Sequence, residues 1–219
     1  MIDRATLASL LATHAPQSPV PACPSLRAFS ADDELPLWLA LESACGQRID
    51  APFFAVAWPG AQVVAGAIVD GVVSVADLRV LELGCGSGLS SVAAATMGAR
   101  HVRATDVDPL ALLTTSLLAE AHGVAVDTAA LSVLDDDAIM AATEGIDVVI
   151  AADVVYNRDL GAALTRIIGA CRARGIALIV ADSGRPFFDP AGLTAVFTRD
   201  VRVALAVEGQ ASRGVVLYR

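Results

Sequence analysis

Residues 81–88 read Leu-Glu-Leu-Gly-Cys-Gly-Ser-Gly. The apolar run LRVLEL (78–83) enters this cluster of three glycines and an amphipathic run leaves it near 89–97, which predicts a strand, a turn and a helix. Glycines at such a turn let the backbone come close to a ligand, because no Cβ stands in the way. Two familiar ligands do not fit. A dinucleotide fingerprint needs a third small residue where Leu89 stands, and a phosphate loop needs a lysine, which the 219-residue chain lacks altogether. What remains is an acid, Glu82, followed by Gly84, Gly86 and Gly88, with Cys85 a small residue facing the core. A second acid, Asp106, closes the next apolar run, and a carboxylate about 20 residues past a glycine turn accepts the hydroxyls of a ribose. The set suits a nucleoside carrying a cationic amino-acid portion and no phosphate.

Such a ligand is S-adenosylmethionine. VLELGCGSG and TDVDP, taken together, resemble the first two signatures of the seven-stranded (class I) S-adenosylmethionine-dependent methyltransferases. The resemblance implies a cofactor site built from Glu82, Gly84, Cys85, Gly86, Gly88, Asp106 and Val107, with S-adenosylhomocysteine as the product. It also implies an adenine contact near the end of the third core strand, where Ser132 and Asp135 are candidates. The fourth core strand ends in Ala-Ala-Asp153-Val-Val-Tyr156, which lacks the Pro-Pro of the amino-methylating nucleic-acid enzymes. This Asp-x-x-Tyr element is similar to that of the branch methylating lysine side chains of single proteins. Three further segments resemble the bacterial lysine methyltransferase of the electron-transfer-flavoprotein β-subunit: DDELPLWLALESACG, APFFAVAWPGAQVVAGAIVD and ADSGRPFF.

The resemblance implies that Asp153 and Tyr156 meet the acceptor amine, with Asp153 also bordering the cofactor. Trp58 would pack over the cofactor or serve as a core aromatic, and Gln62 is a weaker candidate for either ligand. Asp182 and Arg185, after the fifth core strand, would grip the substrate, although Arg185 can equally pair with a carboxylate. The expected substrate is a protein, such as the flavoprotein β-subunit. A small-molecule, nicotinamide-like N-methyltransferase and a silent nucleoside-binding module remain open as alternatives.

The elements that must position these groups follow from periodicity. Strands are predicted at 78–83, 101–106, 128–134, 146–153 and 175–182, with helices near 89–97, 109–121, 136–143 and 159–173. Strand–helix alternation with doubly apolar strands predicts an α/β fold, a Rossmann-like doubly wound and mostly parallel seven-stranded sheet. Runs 199–208 and 213–219 predict a closing hairpin, hence an antiparallel C-terminal strand. Residues 1–50 read as an N-terminal helical extension with two helices and a Pro-rich linker at 16–25. The resemblance implies that residues 51–219 are the methyltransferase domain.

Composition bounds the partners. The net charge of −9 argues against nucleic acid, whose phosphates call for a basic surface. All 15 cations are Arg, so no lysine of this chain can be its own acceptor. Four scattered cysteines and three isolated histidines offer no metal-ligand spacing. The apolar stretch 53–69 is interrupted by Trp58-Pro59-Gly60, Gln62 and Gly66, so no membrane span is expected, and a cytoplasmic protein is.

Overall fold

The computed structural model describes residues 2–219. Helix α1 (Arg4–His14) leads into a two-stranded antiparallel ribbon, β1 (Gln17–Val20) and β2 (Cys23–Phe29), and then α2 (Leu35–Cys45). The ribbon corrects the expectation of a linker at 16–25. Its prolines lie on a two-stranded edge, where a missing N–H donor is tolerated. A short 3₁₀ turn at Phe53–Ala55 precedes α3 (Pro59–Val69), which periodicity had left unassigned. The helix is buried nearly all round, so no amphipathic stripe announces it. Pro59 at its first position is the local start signal.

The core then alternates: β3 (Arg79–Leu83), α4 (Leu89–Thr96), β4 (His101–Asp106), α5 (Pro109–Ala121), β5 (Asp127–Ala130), α6 (Asp136–Ala142), β6 (Val148–Ala152), α7 (Arg158–Ala173) and β7 (Ala177–Asp182). The sheet closes with β8 (Ala195–Arg202), a short helix α8 (Leu205–Glu208) and β9 (Ser212–Tyr218). The expected strand 199–208 is therefore displaced, its second half being α8. The third core strand is also shorter than predicted, because the chain turns at Ser132 to reach the α6 cap.

The seven strands lie in the order β5-β4-β3-β6-β7-β9-β8. The first five are parallel, and β9 runs antiparallel to both of its neighbours. Along β3 and β6 the side chains alternate between two buried faces. Val80, Val148 and Ile150 join α3 and α4 on one side, while Leu81, Leu83, Val149 and Ala151 join α7 on the other. On α7 the residues Leu160, Leu164, Ile167, Ile168 and Cys171 repeat at helical spacing and form its buried stripe. Leu7, Leu11, Leu37 and Leu41 of α1 and α2 pack with Ala111 and Leu118 of α5. No helix among the described residues is long and apolar enough to cross a membrane.

The topology decides where a ligand can sit. From β3 the chain winds outward through β4 to β5, then returns to place β6 on the other side of β3. Strand order reverses between β3 and β6, and the crevice beyond their carboxyl ends is the ligand position of open α/β sheets.

Candidate active site

The Gly turn and the end of β6 face each other across that crevice. Gly84, Gly86 and Gly88 all have positive φ (63°, 50° and 81°). A Cβ on Gly84 would fall 2.8 Å from Val154 Cγ1, so the two strand ends touch. A Cβ on Gly86 would meet nothing within 4 Å. That open space lies directly against the turn backbone. The Asp106 carboxylate closes one side of it, accepting from the Gly86 N–H (3.0 Å) and the Asp108 N–H (3.0 Å). A carboxylate has about four lone-pair positions, so two further donors can still be received. Val107, 65% exposed, and Leu134, 53% exposed, add apolar surface after β4 and β5. Leu134 was missed from sequence, since one Leu in an apolar chain carries no distinguishing signal.

Gly88 shows how narrowly the turn is constrained. A Cβ there would lie 2.6 Å from Thr115 Oγ1 and 2.9 Å from Thr115 Cα, on a backbone that side chains rarely adopt. Gly88→Ala is expected to lower unfolding stability by about 2 kcal/mol or more through strain and overpacking. Chemical denaturation of the two proteins side by side measures this; a midpoint unchanged in the variant would refute it.

Glu82 is turned under the loop. It is 1% exposed, and its Oε2 accepts from the Ser91 N–H (3.0 Å) and the Ser91 hydroxyl at the start of α4. Burial pushes its carboxyl up to about 7, against the pull of those hydrogen bonds. Cys85 faces the core, 3.3 Å from Thr115 Oγ1, and burial raises its thiol well above the ordinary value. The two adenine candidates serve local turns. Ser132 Oγ accepts from the Leu134 N–H (3.2 Å), and Asp135 caps α6 through the Ala138 N–H (3.0 Å).

Asp153 has an unusual backbone, φ +54°, at the carboxyl end of β6. An acid at this place could instead cap the following helix. Asn157 performs that capping itself, accepting from the Leu160 N–H (2.9 Å). Asp153 turns back, and its Oδ2 accepts from the Gly60 N–H in the first turn of α3. The first amides of a helix have no partner inside it, and its N-terminus favours negative charge. A Cβ on Gly60 would fall 2.5 Å from that oxygen, so only glycine permits the approach. Ser183 Oγ lies 3.4 Å from Oδ1. Burial dominates and pushes the Asp153 carboxyl up to about 7. The Gly60 amide and the Arg185 charge oppose this, while Asp182 and Glu208 add to it.

The other expected groups divide. Trp58 caps α3, donates from Nε1 to the Phe53 carbonyl (2.8 Å), and has Arg185 Cζ 5.8 Å from its ring centroid. Arg185 also pairs with Glu208 (2.9 Å), and Glu208, its side chain 3% exposed, pairs again with Arg213 (2.7 Å). Asp182 accepts from the Gly184 and Arg185 amides (2.7 and 2.8 Å), so it shapes the turn that delivers Arg185. Tyr156 is 67% exposed beside the crevice. Gly60 and Glu208 were not singled out from sequence, and Ser183 stood out only as part of the ADSGRPFF segment. The Trp-Pro start of α3 could have pointed to Gly60, whereas Glu208 reaches Arg185 only through the fold.

A family model described as lysine methyltransferase matches residues 30–187. The chain belongs to that family. Within it, the chain is similar to the electron transfer flavoprotein beta subunit lysine methyltransferase of Danio rerio, 32% identical over 139 residues, or 63% of this chain and 52% of that protein. The protein of the same name from Homo sapiens is 29% identical over 141 residues, 63% and 51% of the two chains. The chain thus spans about half the length of the curated relatives it matches. Family membership agrees with the architecture. A chain crystallised in complex with SAH superposes with TM-score 0.53 at 14% identity, covering 79% of this chain and 52% of that one, a likeness of fold.

Proposed function

We propose that this family member is an S-adenosylmethionine-dependent methyltransferase acting on lysine side chains of a protein, such as the β-subunit of electron-transfer flavoprotein. The observation that carries this reading is the Asp153 carboxylate. It is anchored on the α3 N-terminus, lies across the switch-point crevice from the glycine turn, and titrates near neutral pH. The cofactor fits what the crevice provides: open space against Gly86, free acceptor positions on Asp106, and apolar surface from Val107 and Leu134. When bound, S-adenosylmethionine supplies a methyl group activated by a sulfonium.

The chain's own residues then have the acceptor to manage. A lysine ammonium has an ordinary pKa of about 10.4 and must lose its proton before its nitrogen can attack. Ionised Asp153 accepts a hydrogen bond from that ammonium, orients it towards the crevice, and receives its proton directly or through water. Gly60 and Ser183 hold the carboxylate still, so little reorganisation remains at the moment of transfer. Arg185 lowers the Asp153 pKa from where burial alone would put it, while Glu208, which holds Arg185, acts against that. Tyr156, four residues after β6, and Phe53, packed against Trp58 ahead of α3, are both exposed. Exposed aromatics near the strand ends suit a side chain presented by a macromolecule better than a small, enclosed acceptor.

Incubation of the purified protein with methyl-labelled S-adenosylmethionine and a bacterial lysate tests the reading, with Asp153→Asn as control. The expected result is label on lysine in a protease-sensitive band at the mass of the flavoprotein β-subunit, absent with the variant. Label confined to small molecules would overturn the protein substrate.

A further inference from the structure

Arg185 and Asp153 carry opposite charges close together and do not pair. Arg185 lies near enough for its charge to act on the Asp153 carboxyl, yet the two form no ion pair among the described residues. Both have capacity to spare. A guanidinium has five N–H donors, and the one side-chain hydrogen bond of Arg185 among the described residues runs from Nη2 to Glu208 (2.9 Å). Asp153 accepts from the Gly60 N–H through Oδ2 and has the Ser183 hydroxyl 3.4 Å from Oδ1, which leaves lone pairs open. A free guanidinium beside a free carboxylate docks on it through parallel hydrogen bonds. Something holds these two apart.

Glu208 is placed to do so. Its buried carboxylate spends one oxygen on Arg185 and the other on Arg213 (2.7 Å), so both are engaged by charge-assisted hydrogen bonds. Its backbone is tied as well. The Glu208 N–H donates to the Ala204 carbonyl (3.0 Å) at the start of α8, and Arg213 stands on β9, which pairs with β7 up to Asp182. Arg185 is restrained from two further directions. Its amide is held by Asp182 (2.8 Å), and its Cζ lies 5.8 Å from the Trp58 ring centroid, two residues before Gly60. The side chain is thus fixed at its root, over one face and at its tip.

We infer that Glu208 is a positioning residue: it holds the Arg185 guanidinium off the Asp153 carboxylate and so keeps that carboxylate open for the ammonium of the acceptor. A guanidinium docked on Asp153 would occupy the oxygens that the acceptor needs, which makes Arg185 the internal competitor the site must restrain. The charged groups acting on Asp153 are Arg185, Asp182 and Glu208. Asp182 is engaged through Oδ1 by the Gly184 and Arg185 amides and pairs with no cation among the described residues, so Glu208 is the anion that sets where the guanidinium goes. The inference rests on the reading of Asp153 as the group that meets the acceptor, and adds how that group is kept available.

The test titrates Asp153 in the full chain by NMR of its side-chain carboxyl, using ¹³C-labelled aspartate and assigning the signal by its loss in Asp153→Asn. The wild type should titrate at about 7. Glu208→Gln is nearly isosteric and removes the charge that holds Arg185. The freed guanidinium should dock, and the titration should fall to about 6 or below, as an adjacent opposite charge favours the ionised form. In an Arg185→Gln background the same change should move it far less, since nothing is left to dock. Arg213→Gln breaks the other ion pair of Glu208 and should leave the titration at about 7, which separates restraint of Arg185 from mere loss of a buried pair. In methyl transfer, Glu208→Gln should raise the KM for the acceptor several-fold with little change in kcat, because the acceptor now competes with Arg185. A titration unmoved by Glu208→Gln, or a fall of equal size in the Arg185→Gln background or in Arg213→Gln alone, overturns the positioning role. The titration needs no methyl transfer. An Arg185-dependent fall in a chain that methylates no protein would keep the restraint and remove the lysine-transfer reading, whereas methylated protein with an unmoved titration would remove the restraint alone.

Discussion

Asp153→Asn is expected to slow methyl transfer by about 10²–10⁴-fold, the usual contribution of a positioned acid–base group. The change is nearly isosteric, and Asn tolerates the positive φ at this position as well as Asp does. Its side-chain oxygen can still accept from the Gly60 amide, so the α3 N-terminus stays in place. What is lost is the negative charge and the ability to take a proton. The dependence on pH separates this role from a structural one. The competent form is the carboxylate, and burial pushes its pKa up to about 7. The wild-type rate should therefore climb as pH rises through about 7, on top of the slow rise from acceptor lysines whose ordinary pKa is about 10.4. In Asp153→Asn the inflection near 7 should vanish and only the second rise remain. Rates measured between pH 6 and 9 decide the matter. A variant within a few-fold of wild type, or one with the same inflection, would remove Asp153 from the chemistry.

The second large effect is on stability. Glu82 ionises near pH 4.5 in the unfolded chain and at about 7 when folded. Below 4.5 both states hold the proton and the group is neutral in its effect. Between those values the unfolded chain releases its proton while the folded one keeps it, so stability falls as pH rises. Above about 7 the loss is complete, on the order of 3 kcal/mol. Asp153 acts in the same direction, being raised as well. The ligand-free protein should thus melt lower at pH 8 than at pH 5, by roughly 6–12 °C for the Glu82 contribution in a chain of this size. Glu82→Gln cannot ionise, yet it keeps an oxygen for the Ser91 amide, and it should flatten the curve by that amount. Calorimetry of both proteins across this range checks the sign. A wild type that gains stability between pH 5 and 8 would show that the carboxyl under the turn is not strained by its burial.

The family and the glycine turn were legible because their determinants are local. A strand, three glycines and an acid in the next strand are close in sequence, and backbone stereochemistry makes glycine the residue for such a turn. The alternation of strands and helices predicted the sheet, since parallel strands buried on both faces read as apolar runs. Where apolar character ran all round, as in α3, periodicity had nothing to register. The β1–β2 ribbon was hidden for a related reason, since its prolines read as linker and only pairing between its two halves makes it a sheet. The chain by itself therefore determined the kind of fold, the turn and which acids stand at the ends of strands.

Tertiary structure decided what those acids do. Glu82 went to the helix beneath the turn, while Asp182 and Asp135 were used in shaping local turns and caps. Asp153 alone was carried 93 residues back along the chain, to an amide of α3. Glu208 reached Arg185, and Gln62 was left with a buried oxygen, by the same kind of distant packing. The physical reason is common to them. A carboxylate or amide is defined chemically by its donors, its neighbouring charges and its access to water, and in these cases the decisive neighbours lie far away in sequence.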